Sequence, residues 1–260
     1  MKVDVIVTFY RKHAEWPFVA WGLSKDLDSI NHIYIVNDER WDDPSRKAVL
    51  AEAVRYALPC TLLDHDHDGF GAHVCANQGM DACQTDFVVH IDGDIVLSPG
   101  SIEESLELAS EGTLVSPPLG DLPEADKLCW TNDPDNNAPI LDVLRNDWRI
   151  GAAMQHPGMV IRNGYLVIHR SSHYVIDGYD LGYKGYGLID YDYAVRWAIA
   201  HGDDNVVFGG GPAYHIGGVD DEEDRKAKQI SEESKARFLR AIDLWKSKRR
   251  SALEAERASE

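Results

Sequence analysis

Short apolar runs alternate with amphipathic stretches through the first half of the chain. Residues 3–8, which read Val-Asp-Val-Ile-Val-Thr, predict a first buried strand, and the stretch 15–23 after them predicts a helix. The pairing recurs as 32–37 with 45–56, 60–63 with 72–84, and 87–91 with 101–109, and a further strand is predicted at 113–116. Repeated strand-helix units with short apolar strands imply an α/β fold, a mainly parallel sheet covered by helices. Ligands of such sheets gather at the carboxyl ends of the strands. Here those ends read Thr8-Phe9-Tyr10, Asn37-Asp38, Asp64 and Asp92-Gly93-Asp94, polar where a ligand would sit.

Residues 117–158 break this rhythm. Pro117, Pro118, Pro123, Pro134 and Pro139, with an Asn-rich stretch at 132–137, predict a long loop region. Trp130 and Trp148 are large apolar groups within it, read either as packing the loop onto the body or as a lid that stacks on a sugar. A strand pair is then predicted over 158–169, a helix over 190–201 and a short strand over 205–208. From Asp220 onward the sequence is charged and helix-forming. Phe238, Ile242 and Trp245 recur there at i, i+4 and i+7, a narrow apolar stripe expected to dock on the body. No internal repeat is visible. The expected organisation is residues 1–117 and 118–218 as two halves of one domain, followed by a helical tail at 219–260.

Charge narrows the function. The 260 residues carry 26 Lys and Arg against 44 Asp and Glu, a formal charge of −18. That argues against a nucleic-acid binder, which needs a basic face to displace counterions. The tail is balanced, with 11 acidic and 11 basic side chains in residues 219–260, so the whole excess lies in the body. A body this acidic either repels anionic ligands or neutralises them locally, most simply with a bound divalent cation. Cys60, Cys75, Cys83 and Cys129 show no CxxC or zinc-ligand spacing, which suits free thiols in a reducing compartment. The opening apolar run is too short for a signal peptide's core, and no run approaches the roughly 20 residues of a membrane span. A cytoplasmic chain is expected.

Asp92-Gly93-Asp94 is the sharpest local feature. The mostly apolar run 87–91 predicts a buried central strand, two carboxylates emerge at its end, and the glycine between them permits an unusual turn that aims both at one point. Two carboxylates so placed repel unless a cation sits between them, and oxygen ligands suit Mg²⁺ or Mn²⁺. The run His65-Asp66-His67-Asp68 precedes Gly69-Phe70-Gly71 and reads as a solvated loop. The basic stretch Lys246-Ser247-Lys248-Arg249-Arg250 could touch anionic lipid headgroups weakly, against the plainer reading of a solvated helix face.

Residues 3–10 and Ile35-Val36-Asn37-Asp38 resemble the opening of family 2 glycosyltransferases of the GT-A fold. The segment Asn77-Gln78-Gly79 is similar to that family's helix start, with Ala76 where an arginine is common, and the Asp-x-Asp strand follows at the usual distance. Further on, Gly178-Tyr179-Asp180, then Gly185-Tyr186-Gly187-Leu188-Ile189-Asp190, resembles the C-terminal region of galactosyltransferase-like GT-A enzymes, with Ile189 where Glu is common. The likeness covers about residues 3–216.

The resemblance implies a UDP-sugar donor, a hexose or N-acetylhexosamine, and a Mn²⁺ or Mg²⁺ ion held by Asp94 and His215. Asp92 would hold the ribose or the water shell of the metal. Thr8, Tyr10 and Asp38 would cradle the uracil. Asp190, at a helix start behind Gly187, would be the general base of an inverting transfer, whereas the macrodipole alone would also favour an acid there. Asp192 points away from Asp190 on a helix and is expected to be structural. Tyr186, Gly187 and Trp130 would meet the acceptor, a saccharide, glycolipid or protein. Three other readings compete. A sugar-1-phosphate nucleotidyltransferase would open with a glycine-rich basic loop, which Thr8-Phe9-Tyr10-Arg11-Lys12 is not. A non-catalytic nucleotide-sugar-binding protein would accommodate the departures at Ala76 and Ile189. A retaining GT-A transferase would not need Asp190 as base.

Overall fold

Four parallel strands form one half of a seven-stranded sheet: β1 (Val3–Phe9), β2 (Ile30–Asn37), β3 (Cys60–Asp64) and β4 (Phe87–Asp92), side by side in the order β3-β2-β1-β4. The sheet continues with β8 (Tyr165–His169) antiparallel to β4, then β6 (Leu114–Ser116) and β9 (Val206–Phe208), to complete the order β3-β2-β1-β4-β8-β6-β9. The computed structural model describes residues 1–38, 41–64, 71–121, 164–184, 187–216 and 230–259.

β1 is central and buried at all seven positions. Its side chains alternate between two cores, as strand geometry requires. Val3, Val5, Val7 and Phe9 pack with Trp16 and Val19 of α1 (Trp16–Lys25) and Val49 of α2 (Asp43–Arg55). Ile6 faces the other way, onto Cys75, Ala76 and Met80 of α3 (Ala72–Ala82) and Trp197 of α6 (Ile189–His201). Gly79 lets α3 come this close, because a Cβ there would lie 2.5 Å from Cγ2 of Ile6. The start of α2 shows how local sequence sets a helix boundary. In α2, Asp42 accepts a hydrogen bond from the Ser45 N–H at 2.7 Å, and proline stands in the first turn.

A second sheet of three short strands, β5 (Ile95–Leu97), β10 (Ala213–His215) and β7 (Leu119–Asp121), lies in the order β5-β10-β7. β5 and β10 pair antiparallel with His215 opposite Ile95, which returns the chain to the end of β4. Of the predicted strand pair over 158–169, the described residues include one strand, β8, which runs directly into α5 (Arg170–Val175). The helix predicted over 101–109 closes earlier, as α4 (Ser101–Leu106).

The tail is a 28-residue helix, α7 (Glu232–Ser259), and it docks on the body as its apolar stripe predicts. Ile242 and Trp245 are buried with Phe238 packed beside them, and the Trp245 indole N–H donates to Asp203 at 2.6 Å. Cys60, Cys75 and Cys83 are free thiols. Among the described residues no helix is long and apolar enough to cross a membrane. Trp130, Trp148, Cys129, Tyr186 and the run His65-Asp66-His67-Asp68 lie outside the described residues.

Candidate active site

Parallel register brings the polar strand ends to one edge of the sheet. Thr8 lies beside Asp92 on one side and Val36 on the other, and Asn37 lies beside Asp64. The Thr8 hydroxyl donates to Asp92 Oδ1 at 2.6 Å, which fixes that carboxylate, and the Thr8 carbonyl accepts the Gly93 N–H at 2.8 Å. The Asp92 N–H is taken by the Gly164 carbonyl. Tyr10 follows half-buried, with the Arg11 guanidinium 5.0 Å from its ring centroid. Asp38 is buried. Its Oδ2 accepts the Gly71 N–H at 2.9 Å and its Oδ1 faces the Cys75 thiol at 3.9 Å, so it anchors the start of α3.

The turn after β4 turns Asp94 inward. Its Oδ2 is 2.8 Å from the Lys12 ammonium and 3.4 Å from His215 Nε2, and its backbone carbonyl accepts the Ile216 N–H at 3.0 Å. Burial raises the Asp94 pKa, but the bond and charge of His215 and the charge of Lys12 outweigh it and hold the carboxyl well below the usual range. Asp92 goes the other way, up to about 6, through burial and the neighbouring charge of Asp94. One carboxylate of the pair is thus firmly ionised and the other titrates just below neutrality.

The second half of the chain supplies the opposite wall. Asn77 pins Tyr179, whose ring stacks on Tyr193 of α6 at 4.2 Å between centroids. Asp180 accepts the Gly182 N–H at 2.8 Å and pairs with Arg237 of α7 at 2.8 Å. The Ser234 hydroxyl of α7 accepts the Lys184 N–H at 3.3 Å. The tail therefore straps the segment from Asp180 to Lys184. At the end of that loop Gly187 (φ +91) and Leu188 (φ +66) both take left-handed backbone, and this turn leads Asp190 into the first turn of α6. Asp190 is half-buried and its pKa is raised to about 7 by burial and then by the charge of Asp92. Asp192 is buried and bound to Arg196 at 2.7 Å, while Arg196 also donates to the carbonyls of Ile176 and Gly178. Through Arg196 it ties α6 to the turn after α5.

The donor set fits a divalent ion. Asp94 Oδ2 and His215 Nε2 stand 3.4 Å apart, close to the roughly 3 Å that separates adjacent ligands each about 2.1 Å from one octahedral ion. Among the described residues there is no group of three or more His, Cys, Asp or Glu able to close a metal site by itself. Two protein ligands with the remaining positions left to phosphate oxygens and water is the arrangement that suits Mg²⁺ or Mn²⁺ with a nucleotide. Three members of the site were not foreseen. Lys12 sits in a segment noted only for its lack of glycine. Gly164 (φ +104) packs where a Cβ would lie 3.0 Å from Asp92 Oδ2. Arg196 is signalled by nothing beyond its i+4 spacing from Asp192.

A mostly parallel seven-stranded sheet, an acidic turn at the end of its fourth strand, and a small second sheet that carries a histidine back to that turn define the GT-A fold. Solved structures of that fold match most of the chain. TarS 1-349 of S. aureus, in complex with UDP-GlcNAc, is 11% identical with a TM-score of 0.63, over 94% of this chain and 65% of that one. A longer TarS structure is 12% identical with a TM-score of 0.53; the match covers 84% of this chain, which spans only 36% of that length. Glucosyl-3-phosphoglycerate synthase from Mycobacterium tuberculosis, in complex with Mn²⁺, UDP and glucosyl-3-phosphoglycerate, is 13% identical with a TM-score of 0.54, over 93% of this chain and 78% of that one. No protein-family model matches the chain, and no curated protein does.

Proposed function

We propose that the protein is a metal-dependent glycosyltransferase that moves a hexose or N-acetylhexosamine from a UDP-sugar to an acceptor hydroxyl, with inversion at the anomeric carbon. One observation carries this reading: an ionised carboxylate beside an imidazole, Asp94 with His215, shares a strand end with Asp92, whose charge helps raise the carboxyl of Asp190 to about 7. The first pair suits a cation facing a diphosphate. The second group suits a base that must take a proton near neutral pH. The UDP-GlcNAc in TarS and the Mn²⁺ and UDP in the mycobacterial synthase support the same donor class.

A Mn²⁺ or Mg²⁺ ion bound by Asp94 and His215 would supply positive charge against the departing diphosphate. Thr8 holds Asp92 in place for the ribose or a metal-bound water. Tyr10 stacks on the uracil, and Asp38, which orders the start of α3, offers a lone pair to a ring N–H. Asp190 takes the acceptor's hydroxyl proton as the new C–O bond forms and the bond to the diphosphate breaks. Gly187, with Tyr186 and Trp130, contacts the acceptor. A neutralised donor complex also fits a body as acidic as this one, since a divalent ion with a UDP-sugar is close to uncharged.

The test is turnover. UDP- and GDP-sugars screened by thermal shift with Mn²⁺ and with EDTA should single out a UDP-sugar stabilised only with metal, and that donor should release UDP when an acceptor is supplied. Equal UDP affinity with and without metal would overturn the metal assignment. The non-catalytic reading is favoured by Ile189, buried where the family has an acid. Metal-dependent binding with no UDP release from any donor would make it the better one.

A further inference from the structure

Lys12 occupies the oxygen that the metal would need. Its ammonium lies 2.8 Å from Asp94 Oδ2, the same oxygen that faces His215 Nε2 at 3.4 Å. A Cβ at Gly93 would lie 3.2 Å from both Phe9 Cδ2 and the Thr8 carbonyl, so the glycine lets the acidic turn pass close to the end of β1, beside the segment that carries Lys12. A divalent ion between Asp94 and His215 would stand almost in contact with this ammonium, and two cations that close repel strongly. The lysine is 32% exposed and flexible, so it can leave the oxygen without disturbing the core.

We propose that Lys12 is a built-in counter-ion that holds Asp94 until a divalent metal arrives with the nucleotide, and then moves onto the diphosphate. This rests on the metal-dependent donor reading above. Metal alone must displace the ammonium into water, and so binds weakly. Metal with a diphosphate gives the displaced ammonium a new anionic partner, and so binds tightly. Metal and nucleotide are thereby coupled, each strengthening the other by the same factor. Lys12 also partly neutralises Asp94 and the neighbouring Asp92 while the donor is away.

The experiment is a Mn²⁺ titration of the full chain followed by electron paramagnetic resonance of free Mn²⁺, with and without UDP, on wild type, Lys12→Met and Lys12→Arg. Without UDP, Lys12→Met should bind Mn²⁺ at least about tenfold more tightly than wild type, since the competing charge is gone. Lys12→Arg should stay weak. The factor by which UDP strengthens Mn²⁺ binding should be smaller in Lys12→Met than in wild type. If Lys12→Met does not fold, Lys12→Gln is judged by the same criterion. Mn²⁺ binding that tightens with UDP in wild type, but is equal in wild type and variant without it, overturns the role of Lys12 and leaves the donor reading standing. No Mn²⁺ binding by any of the proteins, with or without UDP, overturns both.

Discussion

Asn77 grips the backbone of Tyr179 on both sides: its amide donates to the Tyr179 carbonyl at 2.9 Å and its side-chain oxygen accepts the Tyr179 N–H at 2.9 Å. The two residues lie about a hundred positions apart, one in the middle of α3, which packs under β1 and β2, and the other at the entry to the loop that leads to Asp190. One amide side chain makes both bonds. Gly178, just before Tyr179, would put a Cβ 2.7 Å from that same Asn77 oxygen, so the clamp also requires a glycine there.

Replacing Asn77 with Leu keeps the volume and leaves both Tyr179 backbone groups without their partner. The expected loss is about 1–3 kcal/mol, the cost of unsatisfied buried polar groups. Urea denaturation should show a lower midpoint with an unchanged slope. A midpoint equal to wild type would mean that water replaces the amide and that the clamp does not hold the loop.

The tail offers a second measurement. Trp245 is 5% exposed and its indole is bonded to Asp203, so Trp245→Ala should cost about 3–5 kcal/mol, as for other buried tryptophans. Arg237→Ala removes a half-exposed ion pair with Asp180 and should cost no more than about 1 kcal/mol. Its larger effect should be on the loop from Gly178 to α6, seen as faster amide exchange there with the melting temperature nearly unchanged. Equal exchange in that loop would reduce α7 to a passive cover.

Much of this is legible in the sequence, for physical reasons. The mostly apolar runs of β1 and β4 announce central strands, and parallel strands put Thr8, Asp38 and Asp92 at one edge. Asp94 and His215 could be proposed together only by resemblance. The strands that join them, β5 and β10, have three residues each, too few for a period of two to show. Lys12 and Arg196 were hidden for another reason. A lone basic residue has no periodicity, and its value lies in a carboxylate that only folding brings near. The clamp at Asn77 was half visible: the motif was recognised, but the partner of its amide was not.

Stability should carry the signature of Asp190 in metal-free protein. Its pKa is about 7 in the folded chain and 3.8 in the reference state, so between those values the folded state binds a proton that the unfolded state has lost. Lowering the pH through this window therefore stabilises the fold on account of this group, and above pH 7 its charge is a standing cost. Asp190→Asn should be more stable than wild type by about 2–4 kcal/mol at pH 8, with the gain vanishing near pH 4. His90 and His173, pushed by burial down to about 4 and about 3, act in the opposite direction, but equally in both proteins, and drop out of the difference. A difference that does not change with pH would mean that Asp190 titrates normally.

The same substitution decides the chemistry. Asn at position 190 keeps the size and the helix start but cannot accept a proton, so donor binding with Mn²⁺ should stay near wild type while transfer falls by about 10²–10⁴-fold. Asp192→Asn is the contrasting case. It weakens the pair with Arg196, which also ties down the carbonyls of Ile176 and Gly178, so it should lower stability and leave most of the transfer rate in the fraction that remains folded. One variant would then be more stable and nearly inactive, the other less stable and active. A structural role for Asp190 cannot produce that crossing, because a merely structural residue loses stability and activity together. If Asp192→Asn slows transfer more than Asp190→Asn at equal folded fraction, the base is misassigned by two residues. If neither slows it, the inverting mechanism loses its base, and a retaining transfer that needs none becomes the better account of the same donor site.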